Sequence, residues 1–101
     1  MENQESVNEW ASKTFGHPTP KAAVARMLKE VEELKELDLS EITEEVREKA
    51  MRECADILIV LWVVSDTLGG DLQYYVNEKM QINRKRKWKM NGDGTGQHVK
   101  E

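Results

Sequence analysis

Apolar residues return every three to four positions along most of this chain, and the returns are interrupted at glycine and proline. Val7, Trp10, Ala11, Thr14 and Phe15 fit one helical face. Gly16 and His17-Pro18 end that short first helix, because the residue before a proline is pushed out of the helical region. Thr19-Pro20 then supplies an N-cap and a first-turn proline, and Val24, Met27, Leu28, Val31 and Leu34 carry the next stripe. The spacing predicts a second helix over 20–37.

The segment from Asp38 to Thr43 reads as a turn with two candidate caps, Ser40 and Thr43, ahead of a glutamate-rich first turn. A third helix is expected to run to Leu68 and stop at Gly69-Gly70. Asp71 is the expected cap of a fourth helix, which carries Leu72, Tyr75, Val76, Met80, Ile82 and Trp88 to about Met90. The remainder, 91–101, is polar and turn-rich and reads as a flexible tail.

No strand-like alternation and no internal repeat are visible. The expected fold is all-α, a four-helix bundle with a short N-terminal helix, in a single domain over 1–101 with its core at about 6–90. In the third helix, Ile57–Val64 is apolar on every side, which requires cover all round. A second copy of the chain is the simplest cover, so a homo-oligomer is expected, as a homodimer or a dimer of dimers with helix three near its centre.

Composition narrows the function classes. With 101 residues the chain supports one modest core, and a net charge of −4 argues against stable binding to nucleic acid. The apolar run is far shorter than the roughly 20 residues of a membrane span. The lone Cys54 cannot form an intrachain disulfide and reads as a small buried residue, and the polar first residues carry no export signal. Cytoplasmic residence is the expectation.

Against this background two acidic pairs stand out, Glu30 with Glu33 and Glu53 with Asp56. Residues three apart share a helix face, so each pair can aim two carboxylates at one point. Two such helices side by side would present four hard oxygen donors, a set suited to Mg²⁺ or Mn²⁺. Asp56 adjoins the apolar run, where an unpartnered carboxylate is costly. A solvated face is the competing reading for Glu30 and Glu33 and the preferred one for Glu32 and Glu36.

The order ExxE at 30–33, ExxD at 53–56 opening a very apolar helix, Asn77-Glu78-Lys79, and the basic Asn83–Trp88 segment resembles the MazG-like all-α nucleoside triphosphate pyrophosphohydrolases. It is most similar to small phage and prophage dATP/dGTP diphosphohydrolase-like proteins. The likeness covers about Trp10 to His98, with Lys29 where the family often has a further glutamate.

The resemblance implies that Glu30, Glu33, Glu53 and Asp56 are catalytic metal ligands, with Mg²⁺ the expected ion and Mn²⁺ a substitute. It further implies hydrolysis of a nucleoside triphosphate at the α-phosphorus to monophosphate and pyrophosphate, with purine deoxynucleotides preferred, in nucleotide-pool control. Lys79, Asn83 and Arg86 fall at spacings of four and three and, with Lys87, are candidate phosphate contacts. For Arg84, Lys85 and Lys89 attraction to the helix C-terminus suffices.

Trp10, with Phe15 or His17 beside it, is the candidate platform for the base, and anchoring of helix one to the core is the alternative for Trp10 and Phe15. Trp62 reads as core or interface. Trp88 is expected to pin the end of helix four, and His98 is a candidate to close over the ligand. Other readings are a pyrimidine (dCTP or dUTP) or damaged-nucleotide pyrophosphatase, and a non-enzymatic dimeric helical regulator.

Overall fold

A computed structural model describes residues 1–100. It contains four helices and a small hairpin: α1 (Gln4–Phe15), α2 (Pro20–Lys35), α3 (Glu44–Thr67), α4 (Leu72–Lys85), β1 (Trp88–Met90) and β2 (Gly96–His98). The chain divides into two compact units, one ending at Asp71 and the other starting at Leu72.

In the first unit, α1 and α2 both pack on α3. The helix ends follow from local chemistry. Asn3 and Ser6 form a capping box at the start of α1, and Gly16, at φ 82°, turns the chain out of the helix. The Thr19 hydroxyl accepts from the Ala22 N–H at 3.1 Å with Pro20 in the first turn, as the sequence predicts. Of the two candidate caps for α3, Thr43 holds the position, accepting from Val46 N–H at 3.2 Å, while Ser40 bonds to Asp38. At the far end of α3, Gly69 takes φ 71° and the Gly70 N–H reaches back to the Ser65 carbonyl at 3.0 Å. That is a Schellman closure, in which the left-handed residue lets two orphan carbonyls find donors.

Side-chain amides then tie α1 to α3. Asn8 Nδ2 donates to the Trp62 carbonyl at 3.0 Å and Gln4 Nε2 to the Gly70 carbonyl at 2.7 Å. Among the described residues, the buried apolar ones are Val7 and Ala11 of α1, Ala23 of α2 and Val64 of α3. On α2 the inward face runs through Ala23, Met27, Glu30 and Leu34, while Val24, Leu28 and Val31 of the expected stripe stay exposed. Ala23 is buried, and the residues four and seven positions on share its face of the helix.

Within Ile57–Val64 only Val64 is buried, Leu58 is exposed, and the others are half-buried. The single chain therefore leaves much of this run uncovered. Cys54 is also exposed, contrary to expectation. It falls on the side of α3 opposite the Asp56 face, where α1 and α2 do not cover it.

In the second unit the helix expected to reach Met90 ends at Lys85, and the segment expected as a flexible tail folds back on itself. Trp88 pairs with His98 and Met90 with Gly96, antiparallel. The reversal at 91–95 depends on Gly92 and Gly94, at φ 92° and 90°, and on the Asp93 carboxylate, which accepts from the Thr95 hydroxyl at 2.6 Å and its N–H at 3.0 Å. Trp88 does pin the end of α4, through Nε1 donating to the Asn83 carbonyl at 2.8 Å. Its ring meets that of His98 at 6.0 Å. Among the described residues no helix is long and apolar enough to cross a membrane.

Candidate metal and nucleotide site

Glu30 is the one buried charged residue among those described, only 5% exposed on the inward face of α2. One turn further, Glu33 is exposed, and across on α3 Glu53 is half-buried. One oxygen from each of these three carboxylates lies within 4.8 Å of the others. Three oxygens at that separation can share a divalent cation, which hard oxygen ligands hold at about 2.0–2.6 Å.

The surroundings explain why a cation fits. Burial first of all, then a hydrogen bond shared with the Glu33 carboxyl and the charge on Glu33, push the Glu30 pKa above the ordinary carboxylate value. The Arg26 guanidinium opposes that shift, and the charge on Asp56 adds to it. Glu53 Oε2 is buried with no hydrogen-bond partner. A buried carboxylate oxygen without a donor is an exception among folded proteins, and a metal ion is one of the few partners that resolves it. The donor set and this unsatisfied oxygen both fit Mg²⁺ or Mn²⁺.

The fourth carboxylate of the sequence pattern, Asp56, lies outside the converging trio. It lines a cavity of about 610 Å³ together with Glu30. Although Asp56 adjoins the apolar run it is exposed, and the buried carboxylate is Glu30. The same cavity is lined by Trp10, Phe15 and His17, so all three aromatic candidates open onto the space that Glu30 and Asp56 border. Trp10 and Phe15 meet edge to face, with ring centroids 5.5 Å apart.

Arg26 was not among the residues singled out from sequence. Its Nη2 lies 2.8 Å from Glu30 Oε1 and it lines the cavity. The signal was present, since Arg26 precedes Glu30 by four residues, the spacing of a helical ion pair. Lys79 and Asn83 lie on α4, with Arg86 and Lys87 just beyond it. Lys79 and Lys87 are exposed, while Asn83 and Arg86 are half-buried.

No protein-family model matches the chain. A dATP/dGTP diphosphohydrolase of Salmonella phage PMBT28 is 34% identical over 96 residues, 95% of this chain. The chain spans 30% of that relative's length. Among solved structures, the cyanophage S-2L MazG-like pyrophosphohydrolase, bound to dGDP and three catalytic Mn²⁺ ions per active site, superposes with a TM-score of 0.76 at 26% identity. The match covers 97% of this chain and 90% of that one.

The chain has the MazG-like all-α fold. With that likeness, the trio on α2 and α3 is the candidate metal centre and the adjoining aromatic cavity the candidate nucleotide pocket. The solved relative holds a nucleotide and divalent ions at its own active site.

Proposed function

We propose that this MazG-like chain is a divalent-metal-dependent nucleoside triphosphate pyrophosphohydrolase, which cleaves purine deoxynucleoside triphosphates at the α-phosphorus to monophosphate and pyrophosphate. The observation that carries the proposal is the convergence of Glu30, Glu33 and Glu53 within 4.8 Å beside a cavity that Glu30 shares with Trp10, Phe15 and His17. The phage relative's name, dATP/dGTP diphosphohydrolase, supports the substrate class.

Glu30, Glu33 and Glu53, with Asp56 as the fourth ligand, hold Mg²⁺ or Mn²⁺. When bound, the cation supplies charge neutralisation between carboxylates and phosphates, and acidifies coordinated water. Without it, the triphosphate would meet the uncompensated charge of the acidic quartet.

The chain's own residues supply the rest. Arg26 places a guanidinium at the cavity wall beside Glu30, the group best suited to phosphate oxygens. Trp10 and Phe15 offer aromatic faces to the base, with His17 beside them. One glutamate of the quartet takes the proton from the attacking water. On the second unit, Lys79, Asn83, Arg86 and Lys87 remain the candidate phosphate contacts. A second copy of the chain covers the exposed apolar residues of α2 and α3, and the enzyme acts on the nucleotide pool of the host cytoplasm.

Incubation of the protein with each of the eight common NTPs and dNTPs and Mg²⁺ or Mn²⁺ tests the reading, with monophosphate and pyrophosphate followed separately. Turnover is expected for dGTP and dATP. Absence of turnover on every nucleotide would sink the proposal, and preferred turnover of dCTP or dUTP would replace its substrate.

A further inference from the structure

Next to the large cavity is a smaller one of about 220 Å³, and the two share His17 and Val63 among their lining residues. The side chains peculiar to the small cavity include Asn8, Ser12, Asp66 and Thr67, and no lysine or arginine lines it.

The donors of this set are already committed. Asn8 Nδ2 donates to the Gln4 and Trp62 carbonyls at 2.8 and 3.0 Å. The Ser12 hydroxyl donates to the Glu9 carbonyl at 3.1 Å and the Thr67 hydroxyl to the Val64 carbonyl at 2.6 Å. What remains of these four side chains is acceptors: the amide oxygen of Asn8, hydroxyl lone pairs and the Asp66 carboxylate. Asp66 makes no ion pair or side-chain hydrogen bond with the described residues. It also stands in the last turn of α3, where no basic residue accompanies it and the helix dipole disfavours an anion. Asp66 is exposed and unpaired at the unfavourable end of its helix, and among acceptor atoms with His17 as the side chain able to donate, it suits a neutral ligand edge made of donors.

We propose that the small cavity reads the base edge of the nucleotide and that Asp66 selects guanine, accepting from its N1–H and 2-amino group. This rests on the functional reading above and deepens it. Ten residues separate Asp56 from Asp66 on α3, about 15 Å of helix rise. That length accommodates a nucleoside monophosphate laid from the metal ligands, past Trp10 and His17, to Asp66. Adenine presents one amino group beside an acceptor nitrogen on the same edge, so it can make only one of the two bonds.

The test is calorimetric binding of dGMP, dAMP and deoxyinosine monophosphate to the full chain with Mn²⁺, for wild type and Asp66→Asn. Wild type is expected to bind dGMP most tightly, with deoxyinosine monophosphate, which lacks the 2-amino group, in between. The substitution should weaken dGMP binding about ten-fold or more, as loss of a bidentate pair does, and leave dAMP nearly unchanged. The ratio of kcat/KM for dGTP over dATP should fall in parallel. Melting of the variant serves as the folding control and should be unchanged or higher, because an anion has left the helix C-terminus. An unchanged dGMP-to-dAMP ratio in Asp66→Asn, or equal wild-type affinity for dGMP and deoxyinosine monophosphate, overturns the inference while dNTP turnover stands. Failure of wild type to turn over any dNTP strikes the functional reading itself.

Discussion

Arg26 and Glu30 form an ion pair of unequal partners, 2.8 Å apart, in which the arginine side chain is 62% exposed and the glutamate 6%. The buried member depends on the exposed one. Replacing Arg26 with glutamine should therefore leave the Glu30 carboxylate without a counter-charge and lower the stability of the metal-free protein at neutral pH. Because the guanidinium is well solvated, the expected loss is small, up to about 1 kcal/mol. Adding Mn²⁺ should recover it, since the cation replaces the missing charge. Paired thermal melts of wild type and Arg26→Gln with chelator and with Mn²⁺ check both parts, and equal melting temperatures in chelator would show that the pair contributes nothing.

The raised pKa of Glu30 sets the direction of a pH effect. Folding makes this carboxyl hold its proton more tightly, so in metal-free protein the group favours the fold at low pH. That contribution fades as the pH rises through the raised value. Cation binding runs the other way, because the ligand must be ionised and its proton released. The gain in melting temperature on adding Mn²⁺ should therefore grow from acidic to neutral buffer. Glu30→Gln should flatten the pH dependence of the metal-free protein and lose most of the gain. A Mn²⁺ effect that is independent of pH in wild type would contradict this.

The parts of the fold that could be read from sequence are those whose chemistry is local. Thr19-Pro20, Gly16 and Gly69 each settle a helix end within a few residues, and the structure uses all three as expected. The end of α4 is different, because Trp88 and Met90 continue a helical spacing while the backbone they belong to pairs with Gly96–His98. That pairing depends on the reversal at Gly92 and Gly94, an arrangement that apolar periodicity does not report. The depth of Glu30 was hidden for a related reason. Counting apolar residues puts Val24, Leu28 and Val31 inward, whereas the packing follows small Ala23 and carries Glu30 in with it. Spacing could bring the carboxylates together in expectation, but only packing could distinguish the buried Glu30 from the exposed Asp56.

Glu53 offers a test of the metal centre that does not depend on catalysis. Its Oε2 is buried without a hydrogen bond, so removing the charge should cost the metal-free fold little or even help it. Glu53→Gln should be at least as stable as wild type in chelator and yet lose most of the stabilisation by Mn²⁺. For wild type that stabilisation is about 2.7 kcal/mol at a hundred-fold excess over Kd. Melting curves over a Mn²⁺ titration measure both. Asp56→Ala is expected to abolish turnover, and retained activity in that protein would remove Asp56 from the ligand set.

In the hairpin, the Asp93 carboxylate accepts two hydrogen bonds from Thr95, first from its hydroxyl and then from its N–H, and these hold its pKa below the ordinary value. The sign is opposite to that of Glu30. The stabilisation is present above the unfolded value and is lost as the pH falls through the lowered one. Asp93→Ala should speed amide exchange at Thr95 and at Asn91, whose N–H donates to the Thr95 carbonyl at 2.9 Å, and leave exchange in α3 unchanged. Exchange measured by NMR decides it, and unaltered rates at both positions would mean the loop is held by its glycines alone.

The exposed apolar residues of α2 and α3 make the last prediction. Leu28 and Leu58 are 56% and 43% exposed, and Val24 and Val31 nearby on α2 are also open to solvent. A single leucine at the surface is unremarkable, but several on the two helices that carry the acidic cluster leave substantial apolar area in water. At about 25 cal/mol per Å², covering such area is the main drive for association. In solution the mass should therefore be a multiple of 11.7 kDa. Leu58→Glu should shift the species toward the monomer, because a carboxylate in a dry interface is costly unless paired. If association completes the metal centre as well as covering α3, the monomeric variant should bind Mn²⁺ more weakly, although Leu58 is none of the proposed ligands. Sedimentation equilibrium with parallel Mn²⁺ titration separates the cases: a wild-type monomer ends the oligomer reading, and a monomeric variant with undiminished Mn²⁺ affinity confines the interface to stability.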